Sequence, residues 1–453
     1  MRRGDSAIFS PEDATSEIDR LSRESEIIEW QPSRNMKFKL AIPPTVYPPK
    51  EDTDLLARRL ISLGPGSGRK LLEIGCGSGA LSILAASLGW SVSACDVNPY
   101  AVAATRGNSQ NNLQQIVVKE GGVGPEKFPF DEKFDIILWN LPYIPHTEID
   151  SVLGPMEEAA LVDSDNQGLA NRLLDCITRN NLMAKNGRIL ILSRENSINL
   201  NGKFAIRKWD ELKFEDGEKI VIYCAWKPYE NSPSTYVEST GSTNDDLLSS
   251  NAEIGTHIST SWQHRGRGRR DRIWKSIDGC YAGSWIVEKS KSINPGLLQL
   301  AGGLAVLKSI DHCSLKIKWP NDILIDNRKL SGILVEGRTS GEIISVVLGI
   351  GINMKPTTDS VDFEIASLDE IIDINHHELD KLLHSNIASL LEKGDTLPPV
   401  NFNEIRNEVI YHMKKLGKPI YRQEKYDSFG LNDFGELILG ENIVDDGEDV
   451  EWV

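Results

Sequence analysis

Along the first half of the chain, short and nearly uninterrupted apolar runs at residues 70–74, 91–96, 134–140 and 188–193 alternate with amphipathic stretches such as 79–88 and 99–111. Runs of that length read as strands buried on both faces, and the intervening stretches as helices covering them, which together predict a parallel α/β sheet. A last pair, 203–214 and 219–226, is close enough to form a hairpin that closes the sheet. Residues 227–235 then bring two prolines among small polar side chains, the composition of an interdomain linker. Beyond them the pattern changes to a helix at 295–310, strands at 315–319, 323–326, 332–336 and 344–354 with a hairpin turn at 326–328, amphipathic segments at 376–393 and 403–416, and an all-strand tail from Gly417. Residues 1–35 are polar and lack periodicity, so a flexible tail is expected there, with order beginning at Met36. The expected divisions are 1–35, a first domain at 36–227, a linker at 228–235, a second domain at 236–416 and a third at 417–453.

Several folded units are also what 453 residues predict, since single cores rarely grow to that length. The six cysteines, Cys76, Cys95, Cys176, Cys224, Cys280 and Cys313, form no Cys-x-x-Cys pair, and the eight histidines show no ligand spacing. Neither a zinc site nor a disulfide framework is expected, and reduced cytoplasm is the expected location. The opening Met-Arg-Arg-Gly-Asp-Ser is followed by no apolar stretch, and no apolar run approaches membrane-spanning length, so neither signal peptide nor membrane association is expected. A net charge of −16 disfavours nucleic acid as a partner. Eight Asp or Glu residues and no Lys or Arg lie between Asn432 and Val453, a run that reads as solvated surface.

Two sets of residues carry chemistry. In the first, Gly75, Gly77 and Gly79 follow an apolar strand, Glu73 precedes them, and Asp96 ends the next strand. Such a turn brings backbone close to a ligand, and an acidic strand end suits ribose hydroxyls. The third glycine falls one position too early for the dinucleotide fingerprint, which argues against NAD. Asn140-Leu141-Pro142-Tyr143 ends a later strand. Its Asn oxygen and Leu141 carbonyl can accept the two hydrogens of a planar amino group, Pro142 stiffens the corner, and Tyr143 can stack on the flat face. A helix-packing turn and an ordinary Asn-x-Pro corner are the plain alternatives.

These motifs, with Val46-Tyr-Pro-Pro-Lys-Glu-Asp-Thr53 upstream, resemble class I S-adenosylmethionine-dependent methyltransferases, and within them the archaeal and eukaryotic-type glutamine N5-methyltransferases that modify the Gly-Gly-Gln loop of release factors. The resemblance implies that Glu73, Gly75, Gly77, Gly79, Asp96 and Asn140 hold S-adenosylmethionine and that Asn140, Pro142 and Tyr143 grip the acceptor amide. Leu141 departs from the family's Asn-Pro-Pro-Tyr, which implies a less rigid corner and leaves an adenine N6-methyltransferase, or a cofactor-binding module without catalysis, as alternatives.

The second set begins with Arg265, Arg267, Arg269, Arg270 and Arg272, interrupted by Gly266 and Gly268. Five guanidiniums in eight residues repel one another unless an anion joins them, and a flexible RNA-binding segment is the alternative reading. Ser242-Thr-Asn244, Lys318-Trp-Pro-Asn-Asp322, Lys329-Leu-Ser-Gly-Ile-Leu-Val-Glu336 and Gly349-Ile-Gly-Ile-Asn353 complete a set that resembles biotin protein ligases. The resemblance implies biotin contacts from Ser242, Thr243, Asn244, Gln263, Gly266, Arg267, Lys329 and Gly332. It places Arg269, Arg270, Trp274, Asn321 and Asn353 near ATP, with Arg267, Lys329 and Asp322 as catalytic residues, the last orienting an acceptor lysine. Mg2+ would accompany ATP, with no protein side chains assigned to it.

Taken together the resemblances imply an α/β and α+β protein: a Rossmann-like class I methyltransferase domain, a class II synthetase-like biotin ligase domain and a small SH3-like barrel. The implied partners are the biotin carboxyl carrier protein of an acyl-CoA carboxylase and a peptide-chain release factor.

Overall fold

The computed structural model describes residues 24–453 apart from 125–126, 143, 146–161, 164–167, 196–197, 199–201, 216, 275, 277–278, 357–363 and 445. The chain divides into two compact units, one of residues 1–199 and 207–226, the other of 200–206 and 227–453.

The first unit opens on an antiparallel hairpin of β1 (Glu26–Ser33) and β2 (Met36–Ile42). This corrects the expected tail through residue 35. Ile28 and Trp30 alternate with Glu29 and Gln31, a period-two pattern, and the Trp30 and Phe38 rings pack at 6.1 Å between centroids. Helix α1 (Glu51–Ser62) carries Glu51, Asp52 and Asp54 in its first turn, where carboxylates favour the helix dipole.

Next come β3 (Lys70–Ile74), α2 (Ala80–Ser87), β4 (Ser91–Asp96), α3 (Pro99–Asn111), β5 (Ile116–Glu120) and β6 (Phe134–Asn140). A two-stranded pair, β7 (Ile144–Pro145) and β8 (Val162–Asp163), follows, then α4 (Leu169–Arg179), β9 (Met183–Arg194), β10 (Ala205–Lys213) and β11 (Lys219–Trp226). The main sheet runs β10-β11-β9-β6-β3-β4-β5. Strand β3 pairs in parallel with β4 and with β6, so the chain progresses outward in both directions from it. The carboxyl ends of strands at such a reversal leave a crevice for ligands. Leu72, Ile137, Leu138 and Leu190 fill the sheet with no exposed surface, each worth roughly 1.5–3 kcal/mol of burial.

The second unit contains β12 (Ser234–Val237), α5 (Thr243–Ser249), β13 (His257–Thr260), β14 (Cys280–Ser290), α6 (Pro295–Ile310), β15 (Leu315–Lys318), β16 (Asp322–Ile325), β17 (Arg328–Ser340) and β18 (Ile343–Asn353). Its sheet runs β12-β13-β14-β18-β17-β16-β15, parallel only between β12 and β13. Asp326 and Asn327, at φ 47° and 65°, make the two-residue turn from β16 to β17, a conformation Asp and Asn tolerate best among non-glycine residues. Helices α7 (His376–Leu391) and α8 (Phe402–Met413) complete this layer.

Strands β19 (Pro419–Tyr421), β20 (Glu424–Lys425), β21 (Gly430–Leu431), β22 (Leu437–Leu439), β23 (Asn442–Val444) and β24 (Val450–Trp452) then form two three-stranded antiparallel sheets, β20-β19-β24 and β21-β22-β23. Within the segment read as a linker, Tyr229 is packed while Asn231 and residues 233–235 are exposed: Tyr229 is 5% exposed, its backbone N–H donates to Glu392 Oε2 at 3.0 Å, and its ring lies 5.5 Å from that of His384. The aromatic ring buries too much apolar area to stay in water, which the prolines around it conceal.

Candidate active sites

In the first unit a cavity of about 220 Å³ opens at the carboxyl ends of β3, β4 and β6, lined by Glu73, Gly75, Gly77, Asp96, Asn140 and Pro142 among others. The glycine turn divides its labour. Gly79, at φ 80°, packs so closely on α3 that a Cβ would lie 2.8 Å from Thr105 Cγ2. A Cβ on Gly77, at φ 54°, would meet nothing nearer than Tyr47 O at 3.8 Å, which leaves that side of the turn open to a ligand. The Gly77 N–H donates to Asp96 Oδ2 and the Asn98 N–H to Asp96 Oδ1, both at 2.9 Å, so Asp96 also ties the turn to the next strand. Each oxygen keeps a further lone pair for a ligand hydroxyl. Burial raises the Asp96 pKa, opposed by these backbone hydrogen bonds.

Glu73 is buried behind the turn, where it accepts from the Ser82 hydroxyl. Burial pushes its pKa from 4.5 up to about 8, which favours the neutral acid. Asn140 sits at the end of β6 with its amide nitrogen donating to Asp52 Oδ2 at 2.9 Å. Its Oδ1 is buried and accepts from nothing among the described residues. Leu141, where a less rigid corner was expected, is tied to the neighbouring strand β9. Its N–H, which proline would lack, donates to Leu192 O at 3.0 Å, and its side chain is 4% exposed. Tyr143 lies outside the described residues.

In the second unit a cavity of about 540 Å³ is walled by α5, the arginine loop, and strands β16, β17 and β18. At one end Thr243 donates to Gln263 Oε1 from both its N–H, at 2.9 Å, and its hydroxyl, at 3.1 Å. Ser284 Oγ lies 2.7 Å from Thr243 Oγ1 and 2.6 Å from Asn244 Oδ1, while Asn244 Nδ2 donates to Glu336 Oε2 at 2.6 Å. Ser242 stands at the N-cap position of this helix without a side-chain capping hydrogen bond and is 3% exposed. A Cβ on Gly266 would lie 2.5 Å from Trp274 O, and one on Gly351 2.5 Å from Trp274 Cζ2, so glycine lets the indole settle against the sheet. A Cβ on Gly332 would lie 3.2 Å from Cζ3 of the same ring.

Lys329 Nζ lies 2.7 Å from Asp322 Oδ1, joining two residues expected to act separately. Asn353 Nδ2 donates to Lys329 O at 3.1 Å and Ala366 O at 3.2 Å, which fixes the backbone that carries the lysine. Asn321 lines the cavity, and its carbonyl accepts from the Ile333 N–H at 2.9 Å.

The five arginines separate. Arg265 is exposed and does not line the cavity. Arg267 pairs with Asp245 at 2.7 Å and Glu336 at 3.0 Å. Arg270, in the left-handed region at φ 54°, pairs with Asp446, and Arg272 pairs with Glu448. The C-terminal acidic run is therefore not wholly a solvated surface: the Asp446 side chain is 14% exposed. Gly447 lies against Pro320 and Trp319 O, where a Cβ would approach to 2.4 and 2.7 Å. Arg269, half-buried in the cavity wall, has no carboxylate within ion-pair distance among the described residues. Burial lowers its pKa, opposed by the charges of Asp446 and Asp322 and reinforced by those of Arg270 and Arg272.

Sequence reasoning held Asp52 within the upstream motif but gave it no role, and it did not find Ser284, Glu336 as a shared acceptor, or the Asp446 and Glu448 counter-ions. Among the described residues no group of three or more His, Cys, Asp or Glu is placed to hold a metal.

One crevice at a strand-order reversal and one arginine-walled cavity on a mixed sheet define two ligand centres, and comparison with known proteins says which families they belong to. Residues 59–143 match the family described as ribosomal protein L11 methyltransferase (PrmA), and residues 233–353 match the biotin/lipoate A/B protein ligase family. The putative protein N5-glutamine methyltransferase of Methanocaldococcus jannaschii is 32% identical over 201 residues, 42% of this chain and 96% of that protein. The biotin--[acetyl-CoA-carboxylase] ligase of Paracoccus denitrificans is 30% identical over 196 residues, 39% of this chain and 80% of that protein. The bifunctional ligase/repressor BirA of Bacillus spizizenii is 36% identical over 143 residues, 29% of this chain, and the match spans 42% of that protein's length. The chain belongs to two families: over its first half to the protein N5-glutamine methyltransferases, over its second to the biotin protein ligases.

Proposed function

We propose that this chain is a bifunctional protein-modifying enzyme. Its first half transfers a methyl group from S-adenosylmethionine to the glutamine amide of a release factor's Gly-Gly-Gln loop. Its second half activates biotin with ATP and transfers it to a lysine of the carrier domain of an acyl-CoA carboxylase. The domains expected at 236–416 and 417–453 are retained in this reading, and the first is extended back to β1 at Glu26, with the two C-terminal sheets as a small SH3-like barrel and the cytoplasm as location. No helix among the described residues is long and apolar enough to cross a membrane.

The ligase reading rests on Arg269, a cation half-buried in a cavity wall that makes no ion pair among the described residues. Biotin carboxylate and ATP phosphates repel each other, and a transferring phosphoryl group gathers further negative charge, so fixed cations there lower the barrier. Arg269 and Arg270 would face the phosphates, Lys329 and Arg267 the reacting carboxylate. Thr243, Asn244 and Gln263 offer the neutral hydrogen bonds suited to biotin's ring. Mg2+ would bind the phosphates and share their neutralisation. The glycine-interrupted loop would shield the acyl-adenylate from water, and Asp322 would orient the incoming lysine amine.

The methyltransferase reading rests on Asn140 Oδ1, a buried acceptor that needs a donor. The glycine turn and Asp96 fit a nucleoside, and S-adenosylmethionine would supply an electrophilic methyl. Asn140 and the Leu141 carbonyl would hold the amide's two hydrogens, which directs its nitrogen lone pair at the methyl. Pro142 would stiffen the corner and Tyr143 stack on the amide plane.

Two assays test the pair. Biotin should be required for exchange of labelled pyrophosphate into ATP; biotin-independent or absent exchange refutes the ligase reading. Labelled S-adenosylmethionine should mark a release factor with an intact Gly-Gly-Gln loop and leave one with a substituted glutamine unmarked; equal labelling refutes the acceptor.

A further inference from the structure

Asp52 lies in the first turn of α1, 3% exposed, and both of its carboxylate oxygens are engaged. Oδ1 accepts from the Thr53 N–H at 2.7 Å and the Thr53 hydroxyl at 3.3 Å, and Oδ2 accepts from Asn140 Nδ2 at 2.9 Å. A carboxylate accepts and does not donate, so whichever atom of the Asn140 amide faces it must be the nitrogen. The opposite atom, Oδ1, is then turned away from Asp52, buried and without a donor among the described residues. The contact thus settles an ambiguity that an isolated asparagine leaves open, since its two faces are nearly the same shape and opposite in hydrogen-bond sense.

We propose that Asp52 is a positioning residue that locks the Asn140 side chain with its acceptor toward the cavity, so that the site selects a methyl acceptor carrying an N–H donor. This rests on the methyl-transfer reading above. A hydroxyl can meet one acceptor, but it cannot meet Asn140 Oδ1 and the Leu141 carbonyl at once, whereas a primary amide satisfies both and keeps its nitrogen aimed. An unpaired acceptor in a buried site penalises any substrate that leaves it so.

The proposal makes an unusual demand on two substitutions. In Asp52→Asn the Thr53 N–H still requires an oxygen at the Oδ1 position, so the new nitrogen faces Asn140 and inverts its amide, presenting N–H to a substrate that also offers N–H. Asp52→Ala merely frees the amide to rotate. Methyl transfer to the release factor should therefore fall about tenfold in Asp52→Ala and about a hundredfold in Asp52→Asn, with S-adenosylmethionine affinity within about twofold of wild type in both. In an Asn140→Ala background the Asn substitution should cost nothing more. A merely structural Asp52 predicts the reverse order, because alanine leaves the larger void. That order, or a full additional loss in the Asn140→Ala background, overturns the proposal.

A second arm needs no methyl acceptor. In full-length protein labelled with ¹⁵N-asparagine, the Asn140 side-chain signal is assigned by its absence in Asn140→Ala, and its hydrogens should exchange at least about tenfold more slowly in wild type than in Asp52→Asn. Equal exchange overturns the proposal. If wild-type protein marks no release factor, the acceptor reading fails by itself and this measurement alone decides Asp52. Should Asp52→Asn not fold, Asp52→Ser cuts the same contact and takes its place in the exchange measurement.

Discussion

Lys329 Nζ and Asp322 Oδ1 stand 2.7 Å apart at the floor of the arginine-walled cavity, each side chain about one quarter exposed or less. The pair gives the two residues separable phenotypes. Removing the cation by Lys329→Ala should lower biotin-dependent pyrophosphate exchange about a hundredfold, since the charge-assisted contact to biotin is lost. Asp322→Asn keeps the lysine and should leave exchange within about threefold of wild type, while slowing transfer to the carrier lysine about tenfold. Equal loss of both half-reactions in Asp322→Asn would contradict the assignment.

Asp446 and Glu448 occupy arginines that ATP phosphates would claim. Both arginines are more than half exposed, and ion pairs open to solvent on at least one side contribute little, about 0–1 kcal/mol each, so the competition is mild. The double variant Asp446→Asn/Glu448→Gln should bind ATP about two- to fivefold more tightly, measured by calorimetry at low salt, with the difference shrinking as salt is raised. Weaker binding would mean that the carboxylates hold the arginines in place for ATP instead of contesting them.

Glu73 predicts a pH dependence of stability. Its folded pKa of about 8 lies above the unfolded 4.5, so the folded state binds the extra proton between those values. Its contribution is most favourable below the unfolded pKa and is lost as pH climbs toward 8. Glu73→Gln keeps a partner for Ser82 without a titrating proton. Its Tm relative to wild type should rise steadily from pH 5 to pH 8, by an amount that corresponds to about 1.4 kcal/mol per pH unit at most. A constant difference across that window would show that Glu73 does not titrate there.

Leu141→Pro tests the corner of the first site. The family's usual proline would remove the N–H that reaches Leu192 O and replace a side chain that is 4% exposed. Thermal melting should show a loss of about 1–3 kcal/mol, with S-adenosylmethionine affinity little changed. An unchanged Tm would mean that the sheet edge accommodates proline freely.

How much of this was legible in the sequence depended on how far apart the interacting residues lie. Strands 70–74, 91–96 and 134–140 and helices 99–111 and 295–310 coincide with the expected spans, because each is a continuous apolar or amphipathic run bounded by turn residues. β1 escaped notice because its alternation is short and sits among charges, and Tyr229 because its prolines suggested a loose connector. The glycine turn, Asn140 and the arginine loop announce themselves as local motifs. Their pairings do not: Asp52 stands in the quoted upstream motif but is 88 positions from Asn140, and Asp446 is 176 positions from Arg270. Folding alone brings such carboxylates to their targets, and no spacing rule encodes them.

Each cavity draws its walls from a single unit, residues 45–169 for one and 242–448 for the other. A cell that makes this polypeptide consequently makes both centres in equal copy number, and raising the dose of one always raises the dose of the other. A point variant that silences one centre leaves its companion as a built-in reference, correcting every assay for expression, folding and recovery from the same tube.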